Sequence, residues 1–141
     1  MTLALSATGL NAAYILADTM VNEADVFVPL NYNTLIVPPE LRTAAEELVR
    51  STYVPESDKN AVNVYKNRIN KIIVNPYLTS ATAWFLVASE SDKKGKLYWR
   101  VRPQFKETSD PYSDNRLFKA RERFSIGHTE WQGAIGSTGL E

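Results

Sequence analysis

The stretch Thr34-Leu35-Ile36-Val37-Pro38-Pro39-Glu40-Leu41 sets a β-branched, apolar run directly before a Pro-Pro step. A short run without polar interruption is typical of a strand that is covered on both faces. Pro38 ends that strand, and Pro39 suits the first turn of a helix, where its missing N–H costs nothing. The stretch therefore predicts a buried strand that leads into a helix.

The residues on either side extend this pattern. The helix after Pro39 is predicted to continue to about Ser51, with Glu40, Glu46 and Glu47 towards solvent. Its predicted buried stripe consists of Leu41, Ala44, Ala45, Leu48 and Val49. An earlier helix is predicted to begin after Ser6, a good N-cap residue, and to end near Met20. Its apolar face is Leu10, Ala13, Tyr14, Ala17 and Val21.

Strands dominate the second half of the sequence. Runs at 71–74, 83–88, 97–101, 117–126 and 131–135 are predicted strands, and the second and third of them are expected to pair as a hairpin. The stretches 55–70 and 106–114 are polar and predict loops. Early helices followed by late strands favour an α+β fold with a central mixed sheet flanked by helices.

Length and charge limit the classes of function. The chain has 141 residues, 16 basic and 16 acidic side chains and no cysteine, which fits one domain without disulfides or thiolate metal sites. Residues 1–70 carry an excess of acid and residues 71–141 an excess of base, so copies of the chain can attract one another head to tail. No apolar run approaches the length of a membrane helix.

No group of residues predicts catalysis, a metal or a cofactor. His128 is the only histidine and is expected in a turn after Gly127, where a lone histidine is usually structural. The carboxylate pairs Glu46 with Glu47 and Asp110 with Asp114 are expected to be solvated. The sequence therefore predicts that the protein is not an enzyme and needs no cofactor.

Two basic strand faces are the candidate contact sites: Arg100 with Arg102, and Lys119 with Arg121 and Arg123. They fit a solvated face, salt bridges to a neighbouring subunit, or nucleic-acid contact. Tyr32, Tyr53 and Tyr112 are expected in loops, where exposed aromatics favour contact surfaces. The other large aromatics are expected mostly in the core: Trp84, Phe85, Trp99, Phe105, Phe118, Phe124 and Trp131.

Several segments in this order resemble the major coat protein of tailed phages, which has the Hong Kong 97-type fold, in its prophage-head-subunit branch. They are Leu35 to Leu41 with Ala44 to Leu48, Ile72-Ile73-Val74-Asn75-Pro76-Tyr77-Leu78, Ala81-Thr82-Ala83-Trp84-Phe85-Leu86, Arg121 to Gly127, and Trp131 to Gly139. The resemblance covers residues 5–139, nearly the whole chain.

The resemblance implies a fold and a role. Residues 1–139 are expected to form a single domain, the axial part of such a coat protein with the end of its peripheral part, and residues 140–141 resemble a vector remnant. The arm, extended loop and spine helix of the family would lie upstream, so the chain is expected to be a piece of a longer protein.

The expected partners are copies of itself in pentamers and hexamers, with scaffold and portal proteins, and packaged DNA only indirectly, without a membrane. The expected location is the phage head, assembled in the bacterial cytoplasm. A protein-binding module that uses the 55–70 loop, or a nucleic-acid-binding domain that uses the basic faces from Arg100 to Arg123, are the alternatives.

Overall fold

The computed structural model describes residues 2–53, 62–92, 95–113 and 115–139. The chain divides into two compact units, residues 1–93 with 132–141, and residues 94–131. The elements in chain order are α1 (Ala7–Asp18), β1 (Tyr32–Val37), a 3-10 helix (Pro39–Leu41), α2 (Arg42–Arg50), a second 3-10 helix (Val64–Asn67), β2 (Lys71–Val74), β3 (Trp84–Ala88), β4 (Gly95–Ser109), β5 (Arg116–His128) and β6 (Ala134–Ser137).

The first unit holds a four-stranded mixed sheet in the order β2-β1-β3-β6. Strand β1 is parallel to β2 and antiparallel to β3, and β3 is antiparallel to β6. The side chains of Leu35, Trp84 and Leu86 on the two central strands are fully buried. The α+β class and the mixed sheet with two helices are confirmed.

Strand β1 begins two residues before the predicted Thr34, and this corrects the expectation for Tyr32. Tyr32 is not a loop contact residue, because it lies in β1 with only 2% of its surface exposed. Its hydroxyl donates a hydrogen bond to the carbonyl oxygen of Gln132, so the polar end of the ring is satisfied within the fold.

Helix α1 begins as predicted, since the Ser6 hydroxyl accepts a hydrogen bond from the Gly9 N–H at 3.0 Å. It ends at Asp18, two residues before the predicted end, and Val21 lies beyond it in an isolated bridge to Phe27. The other four residues of the predicted apolar face are buried: Leu10, Ala13, Tyr14 and Ala17.

The second helix is also present, but its first turn is a separate 3-10 helix. Ala45 and Val49 are buried, as predicted, and Leu41 and Leu48 are half-buried. Ala44 is exposed, so its place in the buried stripe was predicted wrongly. Helix α2 has only nine residues and buries a narrow stripe, Ala45 and Val49. Ala44 lies beside this stripe and remains exposed.

The predicted 55–70 loop is partly structured. Residues 54–61 lie outside the described residues, whereas Val64–Asn67 forms the second 3-10 helix. Asn63 caps that helix and is buried. Its side-chain amide donates to the carbonyl oxygens of Leu48 at 2.7 Å and Ser51 at 3.1 Å, which ties this segment to the end of α2.

The predicted hairpin of β3 with the strand at 97–101 is wrong. Strand β3 lies between β1 and β6, and the following strand β4 pairs with β5 instead. Both edges of β3 are therefore occupied by strands that are distant in sequence, which adjacency along the chain could not indicate. The predicted loop 106–114 is wrong for residues 106–109, because β4 continues to Ser109, whereas residues 110–113 form the predicted polar turn.

The last strand is Ala134–Ser137, not the predicted 131–135. Trp131 precedes it and is 63% exposed. Of the aromatics expected in the core, Trp84 is buried and Phe85 is half-buried. The remaining ones are exposed: Trp99, Phe105, Phe118, Phe124 and Trp131.

A two-faced β-ribbon as the candidate functional site

Strands β4 and β5 form a two-stranded antiparallel sheet, here called the ribbon, which makes up most of the second unit. The pairing runs from Gly95 opposite His128 to Ser109 opposite Arg116. Every described side chain in both strands is exposed except that of Val101, which is half-buried. No core forms within the ribbon, so both of its faces are surfaces.

The register assigns the side chains to two different faces. Successive residues of a strand point to opposite faces, and directly opposed residues share one. Leu97 opposite Ile126, Trp99 opposite Phe124 and Phe105 opposite Ala120 therefore lie on the same face as Phe118. We call these seven residues the apolar face, and they share that side of the ribbon with Glu107, Arg116 and Glu122.

The other face is basic. Val101 lies opposite Arg123, Gln104 opposite Arg121, and Lys106 opposite Lys119. These pairs, together with Lys96 and Tyr98, form the basic face. Lysines directly opposed across two strands repel one another and destabilise the ribbon, so this face favours a partner that carries negative charge.

Two irregularities in β4 separate Arg100 and Arg102 from this basic row. The register shifts between Trp99 and Val101 and again between Val101 and Gln104, so β4 has two more residues than β5 over this stretch. Pro103 lies at the second shift, where its missing N–H removes no regular ladder bond. Arg100 and Arg102 have no partner in the strand register, whereas Lys119, Arg121 and Arg123 alternate regularly on β5.

The tip of the ribbon is a polar turn. The Asp110 carboxylate accepts hydrogen bonds from the Ser113 hydroxyl at 2.7 Å and the Tyr112 N–H at 3.1 Å. These two bonds hold the pKa of Asp110 below its usual range. Tyr112 itself is 97% exposed at this tip. An exposed ion pair joins Arg116 to Glu107 at 3.1 Å next to the turn.

Tyr53 lies in the first unit, away from the other candidate residues in the chain. It is 55% exposed and forms an isolated bridge with Val62. The structure therefore gathers Arg100, Arg102, Lys119, Arg121, Arg123 and Tyr112 on one element and leaves Tyr53 on another.

The two units differ in net charge. Residues 94–131 carry 9 basic and 5 acidic side chains, whereas residues 1–93 with 132–141 carry 7 basic and 11 acidic ones. The units therefore have net charges of +4 and −4. The difference in net charge between the two units is therefore larger than that between residues 1–70 and residues 71–141.

Little else in the described part of the chain resembles a chemical site. No group of three His, Asp or Glu residues there is placed to hold a metal ion. His128 is the last residue of β5 rather than part of a turn, and it is exposed. None of the described helices has the length and apolar character needed to cross a membrane.

A family model described as phage capsid protein matches residues 2–137. The chain belongs to the phage capsid protein family. This family gives it a structural role in a phage capsid and a place in the virion. The searches of curated proteins and of solved structures gave no match to the chain.

The apolar face is the feature of this capsid-family chain that sequence reasoning missed. The alternation of Phe118, Ala120, Phe124 and Ile126 with Lys119, Arg121 and Arg123 predicts a half-exposed strand with an apolar and a basic side. The aromatics of the apolar side were expected mostly in the core. Alternation predicts that one face is covered, but it does not tell whether the cover belongs to the same chain.

Proposed function

We propose that this chain is a subunit of the icosahedral head of a tailed phage, with a Hong Kong 97-type fold, and that it associates with copies of itself in pentamers and hexamers. The family match over residues 2–137 carries this proposal. The mixed sheet with two helices and the exposed faces of the ribbon support it, since such a chain offers a packed core together with open surfaces for contacts.

The contacts between copies are proposed to be heterologous, joining different surfaces of neighbouring subunits. Net charges of +4 and −4 on the two units of each copy favour this arrangement, and heterologous contacts are those that close into rings. The residues proposed at subunit contacts are Arg100, Arg102, Lys119, Arg121, Arg123, Tyr53 and Tyr112.

Within the larger assembly, residues 1–139 are proposed to be the axial portion and the end of the peripheral portion of a major head subunit of prophage type. Assembly would take place in the bacterial cytoplasm with scaffold and portal proteins. Packaged DNA would lie inside the shell and contact the subunit only indirectly. No enzymatic step is part of this role.

Sedimentation velocity over a range of protein concentrations at about 50 mM salt tests the proposal. We expect oligomers that grow with concentration, and ring-shaped particles in negative-stain electron micrographs of the largest species. A chain that stays monomeric at millimolar concentration and low salt would count against self-association.

One observation favours a second function, contact with nucleic acid. The basic face aligns Lys106, Lys119, Arg121 and Arg123 on one side of the ribbon, as a phosphate-binding surface requires. Four phosphate contacts predict a slope of about −3.6 for the logarithm of the binding constant against that of the salt concentration. Filter binding with duplex DNA measures this slope, and no binding at about 50 mM salt would exclude the function.

A further inference from the structure

The basic face of the ribbon carries positive charge that no carboxylate beside it neutralises. Its cations are Lys96, Lys106, Lys119, Arg121 and Arg123. None of the five forms an ion pair with a described residue. The pairing register places Glu107 and Glu122 on the opposite, apolar face. The basic face therefore presents cations alone, and a partner with negative charge fits it.

The cations of β5 repeat at a regular distance. Lys119, Arg121 and Arg123 are alternate residues of one strand, so neighbours in this row lie about 7 Å apart. Lys106 faces Lys119 directly across the ribbon, which adds repulsion between like charges. A partner with two carboxylates at a similar spacing would neutralise two adjacent cations at once.

The first unit of a second copy, with its net charge of −4, is the source of such carboxylates. Several of them are already engaged. Asp18 forms an ion pair with Arg68 at 3.4 Å, and Asp92 accepts hydrogen bonds from the Ser89 hydroxyl and the Asn31 N–H. The second helix with its 3-10 turn mixes acidic and basic side chains: Glu40, Arg42, Glu46, Glu47 and Arg50.

The turn after α1 differs from these surfaces, because its carboxylates are free. Glu23 and Asp25 are exposed and form no ion pair with a described residue. Residues 1–41 contain no lysine or arginine. Two residues of chain span at most about 7 Å, so the spacing of these carboxylates is close to that of the cations on β5.

The same turn is preorganised and exposes apolar side chains. The side-chain oxygen of Asn22 accepts hydrogen bonds from the Ala24 N–H at 2.9 Å and the Val26 N–H at 3.0 Å. Val26 and Phe27 are 58% and 66% exposed. We call four residues the acidic turn: Glu23, Asp25, Val26 and Phe27. A turn that is already held in one conformation loses little conformational entropy on binding.

We propose that the basic face of the ribbon of one copy docks on the acidic turn of a second copy. Glu23 and Asp25 pair with two adjacent cations of β5. Phe27 packs on Tyr98, which is 55% exposed and lies next to Arg123 on the basic face. This inference rests on the proposed function, and it names the two surfaces that join the subunits.

Nucleic acid is the competing occupant of the basic face. Both units of the chain meet a partner that binds this face, and the first unit carries a charge of −4. This charge repels the phosphates of a duplex, whereas it attracts the ribbon of another copy. The charge distribution of the whole chain therefore favours a second copy over nucleic acid.

Two charge-reversing variants of the full chain test the docking. Lys119→Glu with Arg121→Glu, the face variant, places a carboxylate opposite Lys106, so attraction replaces repulsion across the ribbon and the strands remain paired. Glu23→Lys with Asp25→Asn, the turn variant, keeps a residue that tolerates the positive φ of 55° at position 25. All four side chains are exposed, so both variants should retain the thermal unfolding midpoint of the wild type.

Sedimentation velocity at about 50 mM salt compares the association of these proteins. Each variant alone should associate at least about tenfold more weakly than the wild type, because one of the two surfaces has the wrong charge. A chain with all four substitutions should associate at least about tenfold more tightly than either variant, because its reversed face meets the reversed turn of the next copy.

A matched control separates the acidic turn from the charge of its unit. Glu40→Lys with Glu47→Gln changes the net charge of the first unit by the same amount as the turn variant, at exposed positions of the second helix. This control should associate at least about tenfold more tightly than the turn variant. Equal association of the two would overturn the docking, since the position of the carboxylates would then be irrelevant.

The remaining outcomes distinguish the docking from the proposed function. If the wild type oligomerises and the chain with four substitutions recovers nothing, the docking is wrong and the proposed function stands. The same holds if the face variant associates like the wild type but loses binding to duplex DNA in a filter assay, which would assign the basic face to nucleic acid. A wild type that stays monomeric at millimolar concentration contradicts both proposals.

Discussion

Trp84 illustrates how single residues hold the first unit together. It is fully buried on β3, and its indole N–H donates to the carbonyl oxygen of Leu3 at 2.9 Å. The Ser137 hydroxyl donates to the same oxygen at 2.6 Å, and the Leu3 N–H donates back to that hydroxyl at 2.9 Å. The segment before α1 is thereby fixed against β3 and β6.

Gly9 depends on that fixed segment. In an exposed helix position, replacing glycine with alanine adds up to about 1 kcal/mol of stability. Here a Cβ at Gly9 would lie 2.4 Å from the carbonyl oxygen of Ala4. We therefore predict that Gly9→Ala lowers the free energy of unfolding by about 1–3 kcal/mol in urea titrations. The exposed control Asn11→Ala should be neutral or stabilising, and equal stabilisation by both substitutions would contradict the prediction.

Tyr14 makes the first unit sensitive to alkaline pH. Its ring stacks on Tyr65 with centroids 6.2 Å apart and lies 3.9 Å from the guanidinium carbon of Arg68, and its hydroxyl donates to the Tyr32 oxygen at 3.1 Å. Burial raises the pKa of Tyr14 from 10.0 to about 12, although the Arg68 charge opposes this.

Because folding raises the pKa of Tyr14, the protonated Tyr14 hydroxyl contributes its full share to the free energy of unfolding below pH 10. This contribution is lost as the pH rises towards 12. At neutral pH, Tyr14→Phe should lower the free energy of unfolding by about 1 kcal/mol through the lost hydrogen bond. Between pH 10 and 12 the wild type should lose about 2 kcal/mol more than this variant. Parallel urea titrations across this range measure the difference. The matched control Tyr98→Phe should show the same pH dependence of the free energy of unfolding as the wild type. The same pH dependence in Tyr14→Phe would contradict the prediction.

At the scale of elements, the sheet and the ribbon differ in what covers them. Strand β1 has neighbours on both edges and buried or half-buried side chains on both faces. Strands β4 and β5 have only each other, and their side chains are exposed almost throughout. Equal lengths of paired strand in the sheet and in the ribbon therefore differ in local stability. The reason is that burial of apolar side chains, and not backbone hydrogen bonding, supplies most of the free energy of folding.

We predict that this difference is visible in amide hydrogen exchange. In the isolated chain, amides of residues 104–121 should exchange at least roughly a hundredfold faster than those of β1 and β3, because the ribbon opens without disturbing the core. Exchange followed by mass spectrometry at low protein concentration measures this. Protection of the ribbon equal to that of β1 under these conditions would contradict the prediction.

At the scale of the whole molecule, charge is distributed between two units and not along two halves. The net charges of +4 and −4 make each copy strongly bipolar although the chain as a whole is neutral. Attraction between such copies is screened by salt, with a Debye length of about 10 Å at 0.1 M. Self-association should therefore weaken as salt rises, while apolar contacts persist.

Charge reversal in either unit tests this bipolarity. Arg121→Glu with Arg123→Glu would bring the ribbon unit from +4 to neutrality, and we expect weaker association at low salt with convergence on the wild type at high salt. The matched control, Arg50→Glu with Lys71→Glu, changes the total charge equally but makes the first unit more acidic, so association should be stronger. Sedimentation equilibrium compares the three proteins, and equal weakening by both variants would show that only total charge matters.

The sequence by itself determined the local elements whose signals are local. Ser6 capping α1, the Pro-Pro step between β1 and the second helix, and the β-branched run of β2 all act through neighbouring residues, so pattern and propensity placed them nearly correctly. The α+β class followed from the order of these elements, and the resemblance to a phage coat protein from the residues and order of the segments quoted above.

Only the tertiary structure decided how the strands pair and which aromatics are buried. Trp84 is buried and Phe118 is exposed, although both were expected in the core. The hydrophobic effect depends on the area that other groups cover and carries no direction along the chain. A sequence thus shows which faces of a strand are suited to burial. The strands that pack beside β3 are distant in the chain, and in our proposal the ribbon contacts another copy.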